Sequence, residues 1–78
     1  MSFSPEQISE LLQLPFVGKT VIQRLQEVGL DDVATLASSD VGEVLEVIAA
    51  HLHSSCWKNS PQAKQAINNI IAWAKQYP

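Results

Sequence analysis

The feature that most constrains the fold of this chain is a short break at residues 14–19 (Leu-Pro-Phe-Val-Gly-Lys). It lies between two runs whose apolar residues recur with the period of a helix. A residue that precedes proline is disfavoured in helical geometry, so a first helix should end near Leu14. Gly18 can adopt a positive φ that is closed to residues with a Cβ, and a second helix can begin directly after it. The sequence therefore predicts two helices joined by a tight hairpin, with Gly18 conformationally required.

Start and stop signals divide the rest of the chain into further helices. Ser4-Pro5 and Ser60-Pro61 each place a hydroxyl N-cap before a proline at the first helical position. Gly29 supplies a left-handed cap for the end of the second helix, and Asp31 and Asp40 can cap two more. We predict helices over residues 5–14, 19–28, 32–37, 41–53 and 61–76, with residues 54–60 as a sizeable break. No run alternates as a strand would, so the predicted class is all-α with five helices.

The apolar positions of these helices should form one core. The chain has 78 residues, of which 46% are hydrophobic and 17% charged, a balance typical of one compact domain over residues 1–78. The side chains expected to be buried together are Leu12, Val17, Ile22, Leu25, Val33, Leu36, Leu45, Ile48, Ile67, Ile70 and Ile71.

Charge and cysteine content narrow the functional classes. The formal charge is −3, which excludes a generally basic protein that coats nucleic acid, so any phosphate contact must be local. A single cysteine cannot form an intrachain disulfide, and the first residues lack the basic and apolar regions of a secretory signal. The apolar runs are far shorter than the roughly 20 residues of a membrane span. A cytoplasmic location without a membrane partner is the expectation.

The predicted hairpin is also a candidate anion site. A helix that begins after Gly18 would direct unpaired N–H groups and the positive end of its dipole toward the turn, where a phosphate is a suitable ligand. Lys19 and Arg24 could add positive charge, and Thr20 a hydroxyl donor. Phe16 adds bulk where a contact through the backbone alone would favour glycine. The alternative is a purely structural turn with a solvated Lys19.

The pattern Leu-Pro-x-Val-Gly-Lys-Thr at residues 14–20, followed by an apolar helix ending at Gly29-Leu30, resembles the helix-hairpin-helix motif of DNA-binding and DNA-repair proteins. That motif usually reads Leu-Pro-Gly-(Val/Ile)-Gly. Here Phe16 stands at the first glycine, and Ile22 stands where the family commonly has a small alanine. Residues 29–37 resemble the continuation found in small helix-hairpin-helix proteins. As a whole, including Cys56-Trp57, the chain is similar to the short bacterial "pathogenicity locus" helix-hairpin-helix proteins.

The resemblance implies a compact, SAM-like helix-hairpin-helix domain that contacts nucleic-acid backbone phosphates without sequence specificity. The candidate contact residues are Phe16, Val17, Gly18, Lys19, Thr20 and Arg24. With about two to four basic contacts, DNA binding should be weak and strongly salt-dependent. The alternative is a protein–protein interaction module with Phe16 as an exposed apolar anchor and an acidic surface over residues 31–46. A buried Phe16 would leave the phosphate corner open, whereas an exposed Phe16 would favour the protein partner.

The other residues with reactive side chains favour structural roles. His51, His53 and Cys56 have metal-ligand chemistry, but residues two apart on a helix point about 200° apart and a fourth ligand is missing. Cys56 also lacks an orienting acid and an oxyanion-hole motif, so we expect a buried or half-buried thiol and no enzyme activity. Trp57 beside Lys58 could stack on a base, although packing over the core is the commoner role. No catalytic residue, metal, cofactor or small-molecule substrate is predicted.

Overall fold

The computed structural model describes residues 3–54 and 56–77, and within those ranges it contains helices and no strand. The helices are α1 (Pro5–Leu12), α2 (Lys19–Glu27), α3 (Val33–Ala37), α4 (Val41–Leu52), α5 (Cys56–Asn59) and α6 (Pro61–Gln76). The all-α class and the five predicted helices, α1 to α4 and α6, are confirmed. The single turn α5 lies inside the predicted break, so that expectation was wrong for residues 56–59. Among the described helices, none has the length and apolarity needed to cross a bilayer.

Side-chain caps explain where four of the helices begin. In the first turns of α1, α3, α4 and α6, a backbone N–H donates to the side chain of the N-cap residue, respectively Ser4, Asp32, Asp40 and Ser60. The cap of α1 is reciprocal, since Gln7 Oε1 accepts from the Ser4 N–H at 2.9 Å. The cap of α3 is Asp32 and not the predicted Asp31. Its carboxylate accepts from the N–H of Thr35 three residues on, so α3 begins at Val33.

The end of α2 has the backbone geometry that the sequence predicted. Gly29 has a φ of 76°, in the left-handed region. The Leu30 N–H donates to the Leu25 carbonyl at 2.8 Å, and the Gly29 N–H donates to the Gln26 carbonyl at 3.2 Å. These two bonds form a Schellman motif, which ends the helix while Leu30 packs against the core.

The core lies between α6 and the other helices. α6 packs against α3, α4 and α5, while α2 packs against α1. The most deeply buried large side chains are Leu11, Leu25, Leu36, Val44, Ile48, Ile67 and Ile70. Two residues that were predicted to be buried in the core are not: Leu12 is 40% exposed, and Val33 is only partly buried. Consecutive helical residues point about 100° apart, so burial of Leu11 in α1 turns Leu12 toward the seam between α1 and α2.

Candidate functional site

The connection between α1 and α2 is a tight turn held to both the preceding helix and α6. The Leu14 N–H donates to the Leu11 carbonyl at 3.0 Å, and the Val17 N–H donates to the Leu14 carbonyl at 3.2 Å. The side chain of Val17 is buried in the core. Asn69 of α6 donates from Nδ2 to the Pro15 carbonyl at 2.9 Å, across 54 positions of sequence. The predicted tight turn is present, and its position on the core is fixed by these contacts.

The left-handed residue of this turn is Phe16 and not Gly18. Phe16 has a φ of 67°, whereas Gly18 has extended backbone angles of −130° and −178°. A Cβ added to Gly18 would meet no atom within 4 Å. The prediction that Gly18 is conformationally required was therefore wrong. The physical reason is the position of Pro15: proline favours the second place of a β-turn, and a turn of type II then requires a positive φ at the third.

This geometry predicts an unusual order of stability at Phe16. Phe16→Gly and Phe16→Ala both remove the ring, but only alanine keeps the Cβ that disfavours left-handed backbone angles. We expect the glycine variant to be more stable than the alanine variant by about 1 kcal/mol. Urea denaturation of the two purified variants measures the difference. An alanine variant as stable as the glycine variant would contradict the positive φ.

The first turn of α2 carries backbone donors without partners. Gly18 has no side chain with which to cap the helix. No acceptor within residues 3–54 and 56–77 pairs with the N–H groups of Lys19, Thr20 or Val21. The side chains of Lys19 and Thr20 are exposed. Unpaired donors, the positive end of the helix dipole and an exposed lysine are thus found together at the start of α2.

Arg24 does not join Lys19 at this corner. It follows Lys19 by five residues and so points about 140° away from it around α2. Its Nη1 lies 2.8 Å from Glu27 Oε1, and the same oxygen lies 2.9 Å from His51 Nε2 of α4. Arg24 therefore belongs to a network that connects α2 with α4, and its guanidinium is already paired with a carboxylate.

This network predicts a pH dependence of stability. The hydrogen bond from Arg24, and after it the hydrogen bond with His51, lowers the pKa of the Glu27 carboxyl below its ordinary value. Because the pKa is lower in the folded state, the ionised carboxylate stabilises the fold above the unfolded pKa, and this contribution is lost as the pH falls through the folded pKa. Between about pH 6 and pH 3, Glu27→Gln should lose less stability than the parent chain. Urea denaturation at stepped pH tests this, and superimposable pH profiles would contradict it.

A groove beside the turn joins residues that are distant in sequence. It is lined by Phe16, Val21, Cys56, Trp57, Ser60, Gln62 and Ala63. Phe16 is 59% exposed. In the sequence analysis, an exposed Phe16 favoured the alternative function, a protein–protein interaction module. Trp57 packs against the core, as expected, and also borders the groove. The groove was missed at the level of sequence because its far wall is α5, inside the segment predicted to be a break.

The three candidate metal ligands have separate environments. His51 bonds with Glu27, and His53 ends α4 with a φ of 52°. Cys56 is exposed, so the expectation of a buried or half-buried thiol was wrong. In the described part of the chain, no group of three or more His, Cys, Asp or Glu side chains is placed to hold a metal ion.

No family model, no curated protein and no solved structure matches this chain. The helix-hairpin-helix resemblance therefore stays a prediction from the sequence. Function has to be inferred from the turn before α2 and from the adjoining groove.

Proposed function

We propose that this chain is a small helix-hairpin-helix binding module that contacts nucleic-acid backbone phosphates without reading sequence. The observation that carries the proposal is the uncapped first turn of α2, where the N–H groups of Lys19, Thr20 and Val21 lack partners within the described residues. Donors of this kind, at the positive end of a helix dipole, bind phosphate oxygens. Because every nucleotide carries the same phosphate, such contacts position a protein without specifying a sequence.

The charges of the molecule set the expected strength of this contact. Lys19 is exposed at the corner, Arg24 is paired with Glu27, and the whole chain has a formal charge of −3. One lysine–phosphate contact corresponds to a slope of about −1 in a plot of log affinity against log salt concentration. Binding by the isolated domain is accordingly weak, and the module works as one contact of a larger assembly.

An NMR titration with short duplex DNA at low salt tests the proposal. The amide resonances of Lys19, Thr20 and Val21 should shift first, and by similar amounts for duplexes of different sequence. Added salt should reverse the shifts with the shallow slope given above. Unchanged hairpin amides at millimolar DNA would overturn the proposal.

Gly18→Ser should change phosphate binding without disrupting the fold. The extended backbone and the open space around Gly18 accommodate a serine, whose hydroxyl can accept from the first turn of α2. We expect stability to rise by a few tenths of a kcal/mol and phosphate binding to weaken, because the hydroxyl takes a donor that the phosphate needs. Thermal melts and the same titration measure the two effects.

Gly18→Ala is the matched control for that experiment. Alanine adds the same Cβ without an acceptor, so it should leave phosphate binding close to that of the parent chain. If the serine variant also bound DNA as the parent does, the first-turn N–H groups would not be the contact.

A second candidate function, a protein–protein interaction module, is supported by a specific observation. Phe16 presents 59% of its surface to solvent at the tip of the turn. An exposed aromatic ring next to an apolar groove is the usual form of an interface anchor, and the acidic residues over positions 31–46 would favour a basic partner. This candidate replaces the first if DNA leaves the hairpin amides unchanged.

A further inference from the structure

Two aromatic side chains, far apart in sequence, border the same groove. Phe16 comes from the turn before α2, and Trp57 comes from α5. Val21 and Ala63 add apolar surface to the lining, while Ser60 and Gln62 add polar groups. The groove has a volume of about 330 Å³. Its lining suits a ligand that has flat apolar faces and a polar edge.

The charge distribution around the groove indicates which charge its ligand should carry. The chain carries eight Asp and Glu residues, yet none of them lines this groove. Val21 is the third residue of α2, so the groove begins beside the unpaired N–H groups of the first turn. The Lys19 side chain lies on another face of α2, next to Leu12, and contributes its charge to the same helix end. A ligand that fills the groove would therefore place its neighbouring groups at a positively polarised helix end, which favours an anion.

We propose that the groove binds an unpaired nucleobase of single-stranded nucleic acid, with the adjoining phosphate at the start of α2. A nucleotide combines the flat faces, the polar edge and the anion that the groove and the helix end require. Bases within a duplex are stacked on one another and would have to be extruded to reach Phe16 and Trp57. The inference rests on the proposed phosphate contact and specifies its substrate as single-stranded nucleic acid.

The backbone of Phe16 is consistent with a role for its ring outside the fold. Phe16 has a positive φ. This conformation costs free energy for a residue with a Cβ, whereas glycine adopts it without that cost. The turn itself needs no aromatic side chain, because most of the ring lies in solvent. The strained position therefore presents an exposed ring at the edge of the groove, where it can stack on a base.

Fluorescence of Trp57 reports directly on the groove. Trp73→Phe leaves Trp57 as the only tryptophan, and circular dichroism checks that this background keeps its helices. Oligothymidine of about ten nucleotides should quench Trp57 fluorescence and bind about tenfold more tightly than a duplex of the same length at the same low salt. Equal affinity for the two DNAs, or binding without a change in Trp57 emission, would overturn the inference.

Variants in the same background separate this inference from the phosphate contact. Phe16→Gly removes the ring and relieves the left-handed strain, so it should fold and lose about tenfold in affinity for the single strand only. Phe16→Tyr keeps a stacking ring and should bind like the parent. Lys19→Gln should weaken binding to both DNAs.

The pattern of results decides each idea separately. If Lys19→Gln weakens binding while Phe16→Gly does not, the phosphate contact stands and the base-binding groove is wrong. If neither the single strand nor the duplex binds at low salt, the phosphate contact fails as well, and a protein occupant of the groove becomes the better account.

Discussion

Replacing Leu25 by alanine should remove most of the stability of this domain. Leu25 lies in α2 and has no exposed surface, so its truncation leaves a cavity among core side chains that can only partly relax. A leucine-to-alanine change at such a site costs about 2 to 5 kcal/mol. A single core in a chain of 78 residues rarely provides much more than that. Urea denaturation followed by circular dichroism should show a midpoint far below that of the parent, or no folded baseline.

Leu12→Ala is the matched control for that experiment. It makes the same chemical change close to the hairpin, but Leu12 is 40% exposed over the seam between α1 and α2. Its cost should be about 1 kcal/mol or less. If the two variants lost similar stability, the assignment of Leu25 to the core and Leu12 to the surface would be wrong.

Features fixed by local chemistry could be predicted from the sequence. The serine caps at Ser4 and Ser60 depend on hydrogen bonds that span three residues. The left-handed Gly29 closes a motif formed within six residues of chain. Helical periodicity then placed most of the buried side chains of α2, α4 and α6 on the correct faces.

Features that depend on tertiary packing could not be predicted in the same way. Leu11 and Leu12 are equally apolar, and only the placement of α1 on its neighbours decides which of them is buried. The helix α5 is a single turn that packs against α4 and α6. A segment of four residues is too short for periodicity to identify and too short to be helical on its own.

The candidate site contains features of both kinds, some set by local chemistry and some by tertiary packing. The turn and the start of α2 were located by Pro15 and Gly18, because proline restricts the local backbone and glycine is unfavourable within a helix. The positive φ was assigned to Gly18, although a proline at the second place of a β-turn points to the next residue, Phe16. The groove between Phe16 and Trp57 required knowledge of α5 and was out of reach of the sequence.

Lys19→Glu should separate nucleic-acid binding from folding more completely than any other single change. It reverses the charge at the start of α2 and takes the formal charge of the chain from −3 to about −5, since one positive charge is lost and one negative charge is gained. Duplex DNA at low salt should then produce no shift of the amides of Lys19, Thr20 and Val21, because a carboxylate repels phosphate at the same helix end. Stability should be unchanged or higher by a few tenths of a kcal/mol, since a helix N-terminus favours a negative side chain.

Lys64→Glu provides the control for charge alone. Lys64 is an exposed residue of α6 that borders a different depression, with Val41 and Asn68, and its reversal changes the net charge by the same amount. If general electrostatics governed binding, the two variants would weaken it equally. A contact at the first turn of α2 predicts instead that Lys64→Glu keeps most of the DNA-induced shifts while Lys19→Glu loses them. Equal loss in both variants would refute a localised phosphate site, because each side chain would then act only through the overall charge.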